Sequence, residues 1–269
     1  MKKYLVLYWL ACFLVSVALL NAAKAQTDAA IGAGRGGSYT AEHVFGYNAD
    51  VGDTAEETIW DQGGLYSYLT AASTVSLSSS SANDASAGTG ARTVRLYGVD
   101  SAGNFATEDF TLNGQTLVNG TTSWWRLNRL EVLTAGSGAI NAGDIYAGTG
   151  TVTSGVPANK FAKILTGNGR SLMAMWHTSS TRRAMLQSLT VATQATATAS
   201  DVTIRLVART TGGVFRVFKK FIVTYTGGPI TIPNPTPLLF PKDTDIEVRA
   251  RASGGTRDIA ADATFIIVN

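Results

Sequence analysis

Cysteine is all but missing. The chain of 269 residues has one, Cys12, inside an N-terminal segment that reads as removable. From Gln26 onward, disulfides, thiolate metal sites and cysteine nucleophiles are therefore excluded. Histidine is nearly as scarce: His43 and His177 are too few and too far apart for the usual metal patterns. Charged residues make up only 15% of the chain, which argues against a helical bundle rich in Glu, Lys and Arg. No apolar run of 18 or more follows the first two dozen positions, so the body of the chain holds no membrane-spanning helix. A nucleophile elbow and a phosphate-binding loop are absent too. Gly32 to Gly37 formally spells G-x-G-x-x-G, but with no strand before it and no helix after it the stretch is a linker. Acidic pairs such as Glu56-Glu57 and Glu108-Asp109 are adjacent, and on a strand they point to opposite faces, a poor geometry for acid–base work. The expectation is a protein without enzymatic activity, cofactor or metal. His177, after Met173-Ala174-Met175-Trp176, reads as a strand-end or interface residue.

What is present is Gly, Ala, Ser and Thr between short alternating stretches, the composition of many strands joined by small-residue turns. Residues 91–116 show the pattern best. Thr93-Val94-Arg95-Leu96 alternates polar and apolar, Asp100 to Asn104 supplies turn formers, Phe105 to Leu112 returns, and Asn113-Gly114 closes the unit. The sketch recurs 110 positions later, with Val94 matching Ile204, Arg95 matching Arg205, Leu96 matching Leu206, Gly103 matching Gly213 and Phe105 matching Phe215. The fold expected is all-β: two tandem β-sandwich, jelly-roll-like domains after an N-terminal signal-like segment.

Lys2-Lys3, the apolar Tyr4 to Leu20 and Ala23-Lys24-Ala25 have the layout of an export signal over 1–25. A flexible Gly-rich arm covers 26–40, an acidic domain 41–159 and a basic domain 160–269. Candidate strands fall at 57–60, 74–79, 93–99, 105–112, 123–133 and 143–153, then at 171–177, 183–193, 203–209, 215–225, 228–232, 245–252 and 263–268. Thr149 to Pro157 reads as a strand end followed by the crossover between domains. Pro229, Pro233, Pro235, Pro237 and Pro241 rule out a helix or a central strand, leaving a wide connection whose Leu238-Leu239-Phe240 tucks inward. In Ile246 to Arg251 the residues Ile246, Val248 and Ala250 face in, and Glu247, Arg249 and Arg251 face out.

The net charge of +3 hides an asymmetry. Residues 26–159 carry 5 Lys and Arg against 13 Asp and Glu; residues 160–269 carry 14 against 6. Opposite fields on two halves favour an acidic half of one copy meeting a basic half of another. The basic set is Arg205 and Arg209, Arg249 and Arg251, and Arg216, Lys219 and Lys220 on the return strand. No aromatic interleaving of the kind used for nucleic acid accompanies it, so an acidic protein surface is the expected partner. Trp124 and Trp125 are adjacent on a strand, one ring for the core and one for an interface or sheet edge. Trp125, Leu127 and Arg129 would share one face, and Trp124, Arg126, Asn128 and Leu130 the other.

Val44-Phe45-Gly46-Tyr47-Asn48-Ala49-Asp50-Val51, Glu57-Thr58-Ile59-Trp60 with Gly63-Gly64, Ser78 to Asp84, Ala87 to Val94, Thr111 to Thr116, Leu133 to Gly138, Gly148 to Pro157, Gly213-Val214-Phe215-Arg216 and Pro241 to Val248 are together similar to a virion structural protein of tailed phages of marine bacteria. The resemblance covers nearly all of Val44 to Asn269 and implies a subunit of a particle, such as a capsid decoration protein, a fibre base or another head component. It implies other virion proteins as partners and carries no catalytic residue; the acidic-to-basic contacts between copies would be placed symmetrically by a ring or cyclic trimer. One departure is the export-like segment, which virion proteins assembled in the cytoplasm do not need; if used, it would place the chain outside the cell and touch a membrane only there. The alternative is an exported surface or adhesive protein binding glycans, with Trp124, Trp125 or Trp176 as a platform.

Overall fold

A computed structural model describes residues 30–195, 200–224 and 228–268. The signal-like segment over 1–25 lies outside them. Sixteen antiparallel strands are described: β1 (Tyr39–Val51), β2 (Glu57–Thr58), β3 (Ser76–Ser79), β4 (Ala91–Asp100), β5 (Phe105–Thr111), β6 (Val118–Asn119), β7 (Trp124–Ala135), β8 (Ile145–Thr153), β9 (Val156–Ile164), β10 (Met175–His177), β11 (Arg183–Ala195), β12 (Val202–Thr210), β13 (Arg216–Val223), β14 (Ile230–Phe240), β15 (Thr244–Ala252) and β16 (Arg257–Val268). The chain is all-β.

Two cores form, and their membership departs from a tandem division. One lies between sheets β1-β16-β11-β14 and β10-β15-β12-β13, with β2 added beside β15. Counted in chain order, the eight strands β1 and β10 to β16 take the orders 1-8-3-6 and 2-7-4-5, the winding of a jelly roll. The other core lies between β6-β3-β8-β9 and β5-β4-β7, so that this smaller sandwich is an insertion between β2 and β10. The boundaries expected at 41 and 159/160 do not match these pairings. β1 pairs with β16 along almost its whole length, and β9 pairs with β8 across the expected boundary. The crossover expected at Thr149 to Pro157 is instead a tight hairpin. Ser154 and Gly155 both have positive φ, 50° and 79°, as a two-residue turn matching strand twist requires.

The chain leaves and re-enters the jelly roll as a narrow ribbon. Trp60 bridges Met173, and the Ala174 amide donates to the Ile59 carbonyl at 2.8 Å. Side chains along it alternate between cores: Ile59, Ala174 and Trp176 belong to the jelly-roll core, and Trp60, Met173 and Met175 to the inserted one. A strand buried on both faces reads as continuous apolar sequence, which is why Met173 to Trp176 shows no alternation. β1 crosses this ribbon at Gly46, where a Cβ would strike the Ala174 backbone nitrogen and the Ile59 carbonyl.

The repeated hairpins both form, β4 with β5 and β12 with β13. Val94 and Ile204, and Leu96 and Leu206, are all fully buried. The left-handed turn glycine opposite Gly103 is Gly212, not Gly213. The proline-rich stretch is strand rather than connection: β14 is the edge of its sheet, and its pairing with β11 breaks where Leu186↔Leu238 gives way to Ser188↔Pro233. An edge position tolerates residues that lack an amide donor. Phe240 is buried as expected, whereas Leu239 is exposed. In β7 the alternation expected of residues 124–130 is broken by bulges opposite Tyr97–Gly98 and Val99–Asp100, so Leu127 joins Trp124 and Leu130 in the core.

A methyl group added to Gly46 must push apart the β1 backbone and the ribbon. Gly46→Ala is expected to lower stability by roughly 1–3 kcal/mol in urea unfolding, as overpacked sites do.

Candidate functional site

A cluster of charged side chains gathers on the outer face of β15. Asp245, Glu247 and Arg249 share that face, while Ile246, Val248 and Ala250 enter the jelly-roll core, the parity expected from sequence. The expected exposure is different: Asp245 and Glu247 have no solvent-accessible surface, because the inserted sandwich and the β1–β2 segment cover them.

Asp245 receives the Arg126 guanidinium in a fork, Nε to Oδ1 at 2.8 Å and Nη2 to Oδ2 at 3.3 Å. Arg209 Nε adds a bond to Oδ2 at 3.0 Å, and His177 Nδ1 lies 2.7 Å from Oδ1. Burial opposes ionisation of Asp245, but the bonds from His177 and Arg126 outweigh it and bring the carboxyl down to about 2. Glu247 accepts from Thr58 Oγ1 and Tyr68 Oη, both at 2.8 Å, and from Arg249 Nε at 2.8 Å. Burial and the neighbouring Glu247 carboxylate push the Tyr68 phenol well above its usual range. Phe215, from the β12–β13 turn, is packed between guanidiniums, with Arg209 4.4 Å and Arg249 4.2 Å from its ring centre. Asn128 of β7 completes the seam like a strand, accepting from the His177 amide at 2.9 Å and donating to its carbonyl at 3.2 Å.

Of the basic residues named from sequence, four are engaged within the chain. Arg205 reaches Glu56 at 3.0 Å, Arg249 pairs with Glu247 and stands 3.6 Å from Glu56, Arg209 binds Asp245, and Arg251 Nε donates to the Asp53 carbonyl at 2.8 Å. The acidic partners lie between β1 and β2 and in β15, inside the same chain. Arg216, Lys219 and Lys220 are separate, on β13. This edge strand also exposes Val217, Phe218 and Ile222, with Val214 80% exposed in the preceding turn; Leu239 is exposed on β14, the edge of the facing sheet. Phe218 packs edge-on against Phe240 at 5.2 Å, and a notch of about 200 Å³ opens there between Val214, Arg216, Phe218 and Phe240. A larger open cleft, about 750 Å³, lies along the 62–73 loop against Asn159, Lys160 and Phe161, and shares Tyr68 and Leu69 with the charged seam.

Trp124 is in the inserted core, and Trp125 is half-buried with Arg126 stacked 4.6 Å from its ring. His177 Nε2 is buried and has no hydrogen-bond partner among the described residues. His43 is exposed; its Nδ1 lies 3.3 Å from Thr264 Oγ1, and its carbonyl accepts from Arg170 at 3.2 Å. Sequence reasoning missed the roles of Arg126, Glu56 and Tyr68; an arginine amid Trp-Trp and Leu on an otherwise buried strand was the available signal.

No protein family and no curated protein matches the chain. Among solved structures it is similar to one of infectious bursal disease virus, Gt strain, at 10% identity and a TM-score of 0.25, over 86% of this chain and 72% of that one. It is also similar to T=1 particles derived from infectious bursal virus, at 11% identity and a TM-score of 0.24, over 86% and 69%. Likeness this slight carries no argument about function.

Removing one partner of a buried pair leaves a stranded charge and costs roughly 3–5 kcal/mol. Arg126→Met leaves Asp245 with Arg209 and His177 and is expected to fall at or below the low end of that range in chemical denaturation; Asp245→Leu, which deprives Arg126, Arg209 and His177 of their acceptor together, should cost more. Asp61 titrates in the opposite sense. It accepts from the Leu172 amide at 2.8 Å while its other oxygen is buried without a partner, and burial raises its pKa to about 7. The folded state then holds a proton that the unfolded state releases near pH 4, so Asp61 makes stability fall as pH rises from 4 to 7. Asp61→Asn should flatten that part of the melting-temperature profile. The Asp245 contribution, lost only as pH falls through about 2, should remain in it.

Proposed function

We propose that the chain is a non-enzymatic structural subunit of a phage-like virion, a head decoration, fibre base or similar component, assembling through contacts between copies. The observation that carries this reading is the β13 edge, where Val214, Val217, Phe218 and Ile222 lie exposed beside Arg216, Lys219 and Lys220. An exposed apolar strip rimmed by charge marks a protein-binding surface. The winding of the eight strands supports it by analogy alone, since jelly rolls recur in capsid and lectin domains. Because Arg205, Arg209, Arg249 and Arg251 are satisfied within the chain, the acidic surface of a neighbour meets β13 rather than the whole basic sheet face. A cyclic ring or trimer closes such contacts.

Burying one large apolar side chain contributes about 1.5–3 kcal/mol, and 1.4 kcal/mol is tenfold in affinity. Light scattering should therefore find the purified protein oligomeric and Ile222→Glu, at a more exposed position of the same strand, dissociated by tenfold or more at unchanged melting temperature. Lys219→Glu/Lys220→Glu should weaken association mainly at low salt. A wild-type protein monomeric at every concentration and salt would overturn the reading, and mass spectrometry of purified particles should recover the chain.

A further inference from the structure

A second cleft, about 270 Å³, opens on the opposite side of the seam, where the start of β1 meets β4, β5 and β10. Its walls are aromatic. Phe105 and Trp176 stand 5.6 Å apart, tilted by 47°, and Tyr97 is held by the Arg129 guanidinium 4.2 Å from its ring centre. The mouth is polar. Glu42 comes from β1 and is steadied by Arg129 at 3.7 Å, Thr40 lies two residues before it, and Thr107 sits on β5. Arg182 lines the same cleft, and its guanidinium has no bonding partner among the described residues. Trp176 is more than nine-tenths buried, and its indole N–H has no acceptor among the described residues.

The volume falls below the roughly 300–1,000 Å³ of sites for drug-sized ligands, so one ring fits and the rest of a longer molecule must leave through the mouth. Aromatic walls suit a ring with an apolar C–H face. A carboxylate acceptor, a guanidinium donor and two hydroxyls suit a rim of alternating donors and acceptors. Glu42 and Arg182 stand on one rim with opposite charges, and a neutral ring bearing hydroxyls can donate to the first and accept from the second at once. A pyranose sugar combines these properties. We propose that the Phe105–Trp176 cleft is a carbohydrate subsite for a single neutral pyranose ring, with Glu42 and Arg182 bonding its hydroxyls. The site is remote from the β13 edge and does not depend on the assembly reading.

The test is saturation-transfer NMR of the full chain with the methyl glycosides of glucose, galactose and mannose and with N-acetylglucosamine, followed by a glycan array. At least one sugar should show transfer to its ring protons. Arg182→Ala and the cleft-filling Thr107→Trp change half-buried or exposed positions and should weaken binding at least tenfold, with the melting temperature unchanged. Ile222→Glu, at the assembly edge, should bind as the wild type does. No transfer from any of the four sugars with an empty array would overturn the proposal. So would binding that persists at full strength in both cleft variants.

Discussion

Asp245 and Glu247 are ionisable side chains without solvent, on a strand whose other face already lines a core. Their desolvation is costly, and only directional partners offset it. Those partners come from every element that meets at the seam: Arg126 from β7, His177 from β10, Arg209 from β12, Thr58 from β2, and Tyr68 from the loop that follows β2. The apolar part of the seam, Trp60, Met173 and Met175, supplies area but little direction. A bidentate guanidinium tolerates little rotation, so the orientation of the inserted sandwich on the jelly roll follows from where Arg126 must place its fork.

The same seam explains what became of the charge asymmetry. The acidic stretch between β1 and β2 folds onto the basic sheet that it would otherwise face from another copy, and Glu56 meets both Arg205 and Arg249. The basic residues left over sit on an edge strand. Lysines on β13 and prolines at 233 and 237 on β14 are the devices by which open sheet edges avoid indiscriminate pairing, and here they frame an apolar strip rather than replace it. A surface that discourages strand addition while exposing Phe218 and Ile222 suits side-chain packing against a specific neighbour.

Much of the strand pattern was legible because one-sided burial writes a period of two into sequence. Val94 with Leu96, Ile204 with Leu206, and Ile246 with Val248 were readable for that reason. β1 was not assigned as a strand, since its pairing partner lies more than 200 residues away and its sequence mixes exposed Phe45 and His43 with buried Asn48. β9 was hidden by Pro157, whose place at the strand's second residue reads locally as a break. In the candidate site, the arginines of β12 and β15 could be put on one face from sequence, yet nothing local said that the face was covered.

Sequence alone determined the fold class, the absence of thiol chemistry beyond Gln26, the two matched hairpins and the facing of β15, because composition and side-chain alternation are properties of neighbouring residues. The tertiary structure decided that one sandwich is inserted in the other, that Asp245 and Glu247 are buried rather than exposed, and that Arg216, Lys219 and Lys220 stand apart from the other basic residues. Those outcomes depend on pairings such as Tyr39 with Val268 and Arg126 with Asp245, across separations at which a chain's local pattern carries no information about its partner.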